Sequence, residues 1–260
     1  MFLVDSHCHL GDMKFGGKEI SVRDALNNAA CAGVTHMLCV CTDLPSFPSM
    51  YEKIRDLDNV YATVGVHPLN ISEPRSEELF LRYAALEKVI GIGEIGLDYH
   101  YESESAEIQK RVFSKQLEYA LKLEKPIVIQ SREAADDTWS VLSSSDPDQK
   151  LTGIFHCYAD SLENARRVLD RGFYISVSGI VTFGRAVNIK ELARFVPMDR
   201  LLLETDSPYL APVPFRGKPN QPAYVEKVAH AVAELKSVSY EEICSRTSEN
   251  FERLFGIKLK

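Results

Sequence analysis

The sequence has no long apolar run. Stretches such as 127–129 or 201–203 fall far short of the roughly 20 residues that a membrane-spanning helix needs. It has no C-x-x-C pair either. Its six cysteines, Cys8, Cys31, Cys39, Cys41, Cys157 and Cys244, are dispersed, and they read as free thiols rather than a disulfide framework or a structural zinc site. Nor is an export signal expected: Met1-Phe2-Leu3-Val4-Asp5 has no basic region and reaches a charge too soon. That start reads as a strand, and the cytoplasm is the expected compartment. Nor is there an excess of positive charge. The net charge of -7 argues against a surface that grips nucleic acid non-specifically, though not against a small basic patch beside a site. Internal repeats and low-complexity tracts are absent.

What remains is a chain of 260 residues, 45% hydrophobic and 26% charged, the composition of a globular protein with a substantial core. Short apolar segments rich in β-branched residues alternate with segments of helical period. Strands are expected over 2–5, 37–41, 60–66, 89–94, 126–130, 152–156, 173–177 and 200–204. Helices are expected over 22–32, 47–57, 77–86, 105–122, 134–142, 161–171, 189–195, 223–235 and 239–255. Ser105 is a candidate N-cap, and Gly33 and Gly172 close two helices. Stretch 143–149 reads as a loop, and 208–222 as irregular. Eight strands, apolar on both faces and each followed by a helix, with one extra C-terminal helix, fit an α/β fold. The expected form is a single (β/α)8 TIM barrel over 1–260. A doubly wound open sheet is the competitor. It wants a glycine-rich phosphate turn after the first strand, and His7-Cys8-His9-Leu10-Gly11 is not one.

Barrel enzymes carry their catalytic groups at the carboxyl ends of the strands. Those ends hold Asp5, His7 and His9; His67; Glu94 and Asp98; Gln130 and Arg132; His156; and Glu204-Thr205-Asp206-Ser207-Pro208. Four of the seven histidines thus map to one rim. His7 and His9, two apart on an extended strand, point the same way, with Cys8 on the other face. Two neutral imidazoles on one side bind one divalent cation, or else serve local hydrogen bonding. Glu94 and Asp206 on the same rim favour the metal. Glu94 lies in an apolar segment and needs a partner, either a metal or a buried cation. Its two oxygens would allow it to bridge two ions. His156 alone would read as a satisfied core histidine, and only the shared rim raises it. Asp206 is either a turn residue before Pro208 or a ligand that also takes a proton from water. Arg132, Arg185, Arg216 and Lys218 fall in rim loops. Together they would hold a phosphate, and singly each reads as solvated charge. Arg216, just past the last strand, is the foremost of them.

The stretches Asp5-Ser6-His7-Cys8-His9-Leu10, Gly65-Val66-His67-Pro68, Gly93-Glu94-Ile95-Gly96-Leu97-Asp98-Tyr99, Phe155-His156-Cys157-Tyr158 and Leu203-Glu204-Thr205-Asp206-Ser207-Pro208-Tyr209-Leu210 occur in this order. Arg216-Gly217-Lys218 with Asn220 and Pro222 follows. Together they resemble the TatD-type deoxyribonuclease family, metal-dependent hydrolases with an amidohydrolase-type barrel, over essentially the whole chain. The resemblance implies a first metal on His7, His9, Glu94 and Asp206. It implies a second that shares Glu94 and is completed by His156 and a histidine on the fifth strand. It implies one or two divalent ions, magnesium, manganese or zinc, and DNA as substrate, cut from the 3′ end. One position departs: the family's histidine is Gln130 here. An amide oxygen is a weaker zinc donor than imidazole, so the second metal is expected to be weak, substrate-dependent or absent.

The expected mechanism is attack by a metal-activated water, with Asp206 and Glu94 as catalytic carboxylates and His67, Arg132 and Arg216 on the substrate. Two rivals stand beside it. The same site would cut an amide, ester or lactone of a small substrate. A binding protein with weakened catalysis is the other, favoured by Gln130 alone. No obligatory protein partner and no membrane are expected, and the chain is expected to be a monomer.

Overall fold

The computed structural model describes residues 2–71 and 76–260. Its strands and helices follow, in chain order, β1 (Val4–Cys8), a small hairpin of β2 (Lys14–Phe15) and β3 (Lys18–Glu19), α1 (Val22–Cys31), β4 (His36–Cys39), α2 (Phe47–Ile54), β5 (Val60–Val64) and α3 (Glu77–Ala84). Then come β6 (Val89–Asp98), α4 (Tyr99–Glu102), α5 (Ala106–Leu123), β7 (Ile127–Arg132), α6 (Ala135–Ser145), β8 (Gly153–Phe155) and α7 (Leu162–Asp170). The chain finishes with β9 (Tyr174–Val177), α8 (Val187–Phe195), β10 (Leu201–Leu203), α9 (Val225–Lys236) and α10 (Tyr240–Phe255).

Ile127-Val128-Ile129 and Leu201-Leu202-Leu203 are apolar at every position, so neither face of these strands can be left in water. The fold covers both. Eight strands pair in parallel in the order β1-β4-β5-β6-β7-β8-β9-β10. The ring is drawn together where Asp206 N–H donates to His7 O at 2.9 Å and His9 N–H to Ser207 O at 2.8 Å. This is the expected TIM barrel. One set of side chains, including Met37, Ile127, Ile129, Ile175 and Leu203, packs with the surrounding helices. The alternate set, Val4, Leu38, Val128, Ile154 and Leu202, clusters with Phe251, Leu254 and Phe255 of α10. The extra helix therefore seals the amino-terminal end, and the carboxyl end is left for chemistry.

Several boundaries differ from expectation. β6 runs on to Asp98, because Gly96 takes φ +136° and lies against β7, where a Cβ would meet Gln130 O at 2.0 Å. No other residue fits that approach. α6 absorbs Ser143 to Ser145 from the stretch expected as loop. Ser105 makes no side-chain cap bond to α5, and its hydroxyl donates instead to Glu102 O. Helix α4 was not expected; Asp98 nucleates it by accepting from His100 and Tyr101 N–H. No helix among the described residues is long and apolar enough to cross a membrane.

Candidate metal centre

His7 ends up buried on β1, and His9 sits one residue beyond it. Glu94 rises from the middle of β6 and Asp206 from the turn after β10, where its φ is +57°. Four donor atoms converge. His7 Nε2 is 3.3 Å from His9 Nε2, 3.3 Å from Glu94 Oε2 and 3.7 Å from Asp206 Oδ1. His9 Nε2 is 3.4 Å from Asp206 Oδ1 and 3.9 Å from Glu94 Oε2. A tetrahedral zinc with bonds of about 2.0–2.1 Å holds its ligands about 3.4 Å apart. The spacings of His7, His9 and Glu94, with Asp206 beside both histidines, therefore suit a divalent cation. His9 Nδ1 faces Val40 O at 3.3 Å, which puts the proton there and leaves Nε2 as a lone pair for the site.

The other oxygen of Glu94 turns to a second group. Oε1 is 2.9 Å from His156 Nε2 and 3.2 Å from His67 Nε2. His156 Nε2 is also 2.9 Å from Gln130 Oε1. The amide orientation follows from its far end, since Gln130 Nε2 donates to Asp98 Oδ2 at 2.9 Å. The carbonyl oxygen must then face the site. This second set offers two oxygens and one nitrogen, which suits a hard cation better than zinc. Behind it, His156 Nδ1 is 3.5 Å from the fully buried Glu204, whose other oxygen accepts from Ser176 Oγ.

Charge in this cluster is strongly coupled. Burial opposes a charged His156, but Glu94 and Glu204 outweigh it and hold its pKa well above the ordinary histidine range. Burial also opposes an ionised Glu94, yet His156 and His67 hold it well below the usual carboxylate range. Burial, then His156, lowers His7. Burial again opposes His9, whose pKa Asp206 raises. Asp5 lies beneath the site and binds Thr205 N–H at 2.8 Å and Thr205 Oγ at 2.5 Å, with burial pushing its pKa up to about 8.

The cluster sits at the floor of a cleft of about 1030 Å³. His67 and Arg132 line it with His9, Glu94, Gln130, His156 and Asp206. His67 Nδ1 accepts from Leu69 N–H, so its Nε2 carries the proton and serves as a donor. Arg216 is not among the lining residues; its guanidinium lies over the Phe183 ring at 4.1 Å. The sequence reading gave no role to Glu204, Asp98 or Tyr101. Glu204 carries the same signal as Glu94, a carboxylate in an apolar segment, directly after Leu201-Leu202-Leu203.

A parallel barrel with a histidine–carboxylate cage at its carboxyl end defines a metal-dependent hydrolase. The family described as TatD related DNase matches residues 4–256. An uncharacterized metal-dependent hydrolase, YcfH, of Escherichia coli K12 is 46% identical over 260 residues, covering 99% of this chain and 97% of that protein. A Citrobacter rodentium protein named 3′-5′ ssDNA/RNA exonuclease TatD is 31% identical over 246 residues, covering 91% and 92%. The crystal structure of YJJV, a TatD homologue of E. coli K12, superposes with a TM-score of 0.88 at 27% identity, over 98% of each chain. The chain belongs to the TatD-related DNase family.

Proposed function

We propose that this chain is a deoxyribonuclease that hydrolyses DNA phosphodiesters from the 3′ end. His7, His9, Glu94 and Asp206 would hold one cation, and Glu94, His156 and Gln130 would hold a second more weakly. The donor cluster carries the reading: His7 and His9 are 3.3 Å apart, and each lies 3.3–3.9 Å from Glu94 and from Asp206. A bound divalent cation supplies an activated water and positive charge for the phosphate oxygens. Asp206, 14% exposed at the edge of the cage, accepts the water's proton. Glu94 directs one oxygen to each half of the site. His67 Nε2–H donates to a phosphate oxygen, and Arg132 holds a neighbouring phosphate. The exonuclease named among the relatives supports the phosphodiester choice. Six cysteines without a disulfide support a reducing compartment, the cytoplasm.

One observation favours a second reading. Asp12, Glu94, Asp98, Glu133, Asp160 and Asp206 line the cleft, against Arg132 as its one Arg or Lys among the described residues. Such a lining suits a small, uncharged amide, ester or lactone. The test is turnover of 3′-labelled DNA, an aryl ester, a lactone and a dipeptide with magnesium, manganese or zinc, beside a metal-stripped control. Release of nucleotides from the 3′ end is expected. Turnover confined to the carbonyl substrates would overturn the nuclease reading.

A further inference from the structure

Arg132 is the one Arg or Lys among the described residues that line this acidic cleft, yet no ion pair or hydrogen bond of its guanidinium is found among the described residues. The adjacent Glu133 is occupied by His100, Nδ1 to Oε1 2.6 Å. Arg132 lies instead over the ring of Tyr101, its guanidinium carbon 4.9 Å from the ring centre. Tyr101 is 64% exposed and also lines the cleft. Its backbone N–H donates to the buried Asp98, and the His100 ring stands edge-on to it at 4.7 Å. The same Asp98 carboxylate receives the Gln130 amide from the metal centre. The ring is thus held in the open, at a place tied to the reacting groups.

An arginine laid on an aromatic face keeps its planar fork free for an anion and loses little freedom when one arrives. An exposed ring beside it offers a face to another π-system. We infer that Tyr101 and Arg132 clamp one nucleotide of a single-stranded polynucleotide, the base on Tyr101 and the phosphate on Arg132. This rests on the nuclease reading above and assigns two residues that hold its substrate. A duplex presents no free base face, so the clamp selects single strands. Stacking tolerates any base, so it does not select sequence.

The test is an anisotropy titration of the full chain with a short labelled single strand, calcium replacing the catalytic ion. Versions of the strand lack one base at each of the last three 3′ positions. Tyr101→Ala weakens binding of the complete strand by roughly five- to a hundred-fold. Removing the base at one position does the same to the wild type, and the two losses do not add. Tyr101→Phe keeps the affinity. Arg132→Gln flattens the slope of log affinity against log salt by about 0.7, one phosphate contact on a single strand. The clamp is overturned if the wild type does not bind, if base removal and Tyr101→Ala act independently, or if a duplex shows the same dependence on Tyr101. Binding of this kind without cleavage of any phosphodiester refutes the nuclease reading and leaves the clamp standing. Cleavage with binding indifferent to Tyr101 does the reverse.

Discussion

Gln130→His tests how the second half of the centre works. The wild-type amide must satisfy two neighbours, His156 Nε2 at 2.9 Å and Asp98 Oδ2 at 2.9 Å. An imidazole at this position would put one nitrogen toward the site and the other N–H on Asp98. Asp98 is buried and already placed, so it would fix the tautomer and strengthen the ligand. The bond to Asp98 is then kept, where losing it outright would cost about 1.5–3 kcal/mol. Stability without metal should therefore change by less than about 1 kcal/mol, the scale of a neutral exchange in hydrogen bonding. The donor set shifts from two oxygens and one nitrogen to one oxygen and two nitrogens, in favour of zinc. Taking the second site from one tenth to nine tenths full at fixed free zinc requires about an 81-fold gain, or about 2.6 kcal/mol. Elemental analysis after equilibrium dialysis against buffered zinc should give one equivalent for the wild type and two for the variant. Equal stoichiometry in both, whether one or two, would refute the reasoning that the amide limits this site.

Asp206→Asn should lower turnover by roughly a hundred- to ten-thousand-fold, the range of a lost general base, in assays at saturating metal; an unchanged rate with metal bound would remove that role. Glu204→Gln places an amide donor against His156 Nδ1–H, so affinity for the ion on His156 should fall about ten- to a hundred-fold in chelator competition. Arg171 and Asp146 form a nearly buried pair at 2.7 Å, and Asp146→Asn should cost about 1.5–3 kcal/mol in denaturant melts by weakening the charged hydrogen bond, while the Asp146 backbone carbonyl still accepts from Arg171. Burial opposes the charge of Asp146, but Leu151 N–H, Lys150 N–H and Arg171 hold its pKa below the usual carboxylate value. Its contribution is therefore present above the ordinary carboxylate pKa and lost as pH falls through the lower folded value, and the Asn variant should show less of this acid-side loss.

The barrel was legible because strands apolar on both faces have few architectures open to them. The rim residues followed from one rule, that chemistry gathers at the carboxyl ends of strands. His7, His9, Glu94, His156 and Asp206 do come together in three dimensions. Direction within loops was not legible. Arg216 lies past the last strand, as expected, but its guanidinium finds Phe183 rather than the cleft. His67 was placed near the substrate, yet its protonated nitrogen is set by Leu69 N–H, a bond two residues away that no motif announces. Tyr101 gave no signal, because exposure of one ring is a property of its neighbours. Helix α4 depended on a side-chain cap by Asp98, read only as a rim residue.

The acidic lining and the weak second set bear on one another. Among the described residues six carboxylates line the cleft against one arginine, so bound cations would favour the approach of a phosphate. Each divalent cation bound there would offset two of those charges. On the function proposed above, the hard donors Gln130 Oε1 and Glu94 Oε1 would hold a second cation loosely, and a phosphate oxygen would add a hard ligand. Ion and phosphate then help each other, and linkage requires the two effects to be equal. Manganese affinity at the second site should rise with inorganic phosphate by the same factor that manganese raises phosphate affinity. A coupling of about 1–3 kcal/mol corresponds to about 5- to 150-fold. In Gln130→His the second zinc binds without this help, so its coupling to phosphate should be smaller. Calorimetric titrations of the wild type in both orders measure the two factors. Manganese binding that is indifferent to phosphate would mean the second set does not depend on substrate, and the loose ion would then have to be explained by Gln130 alone.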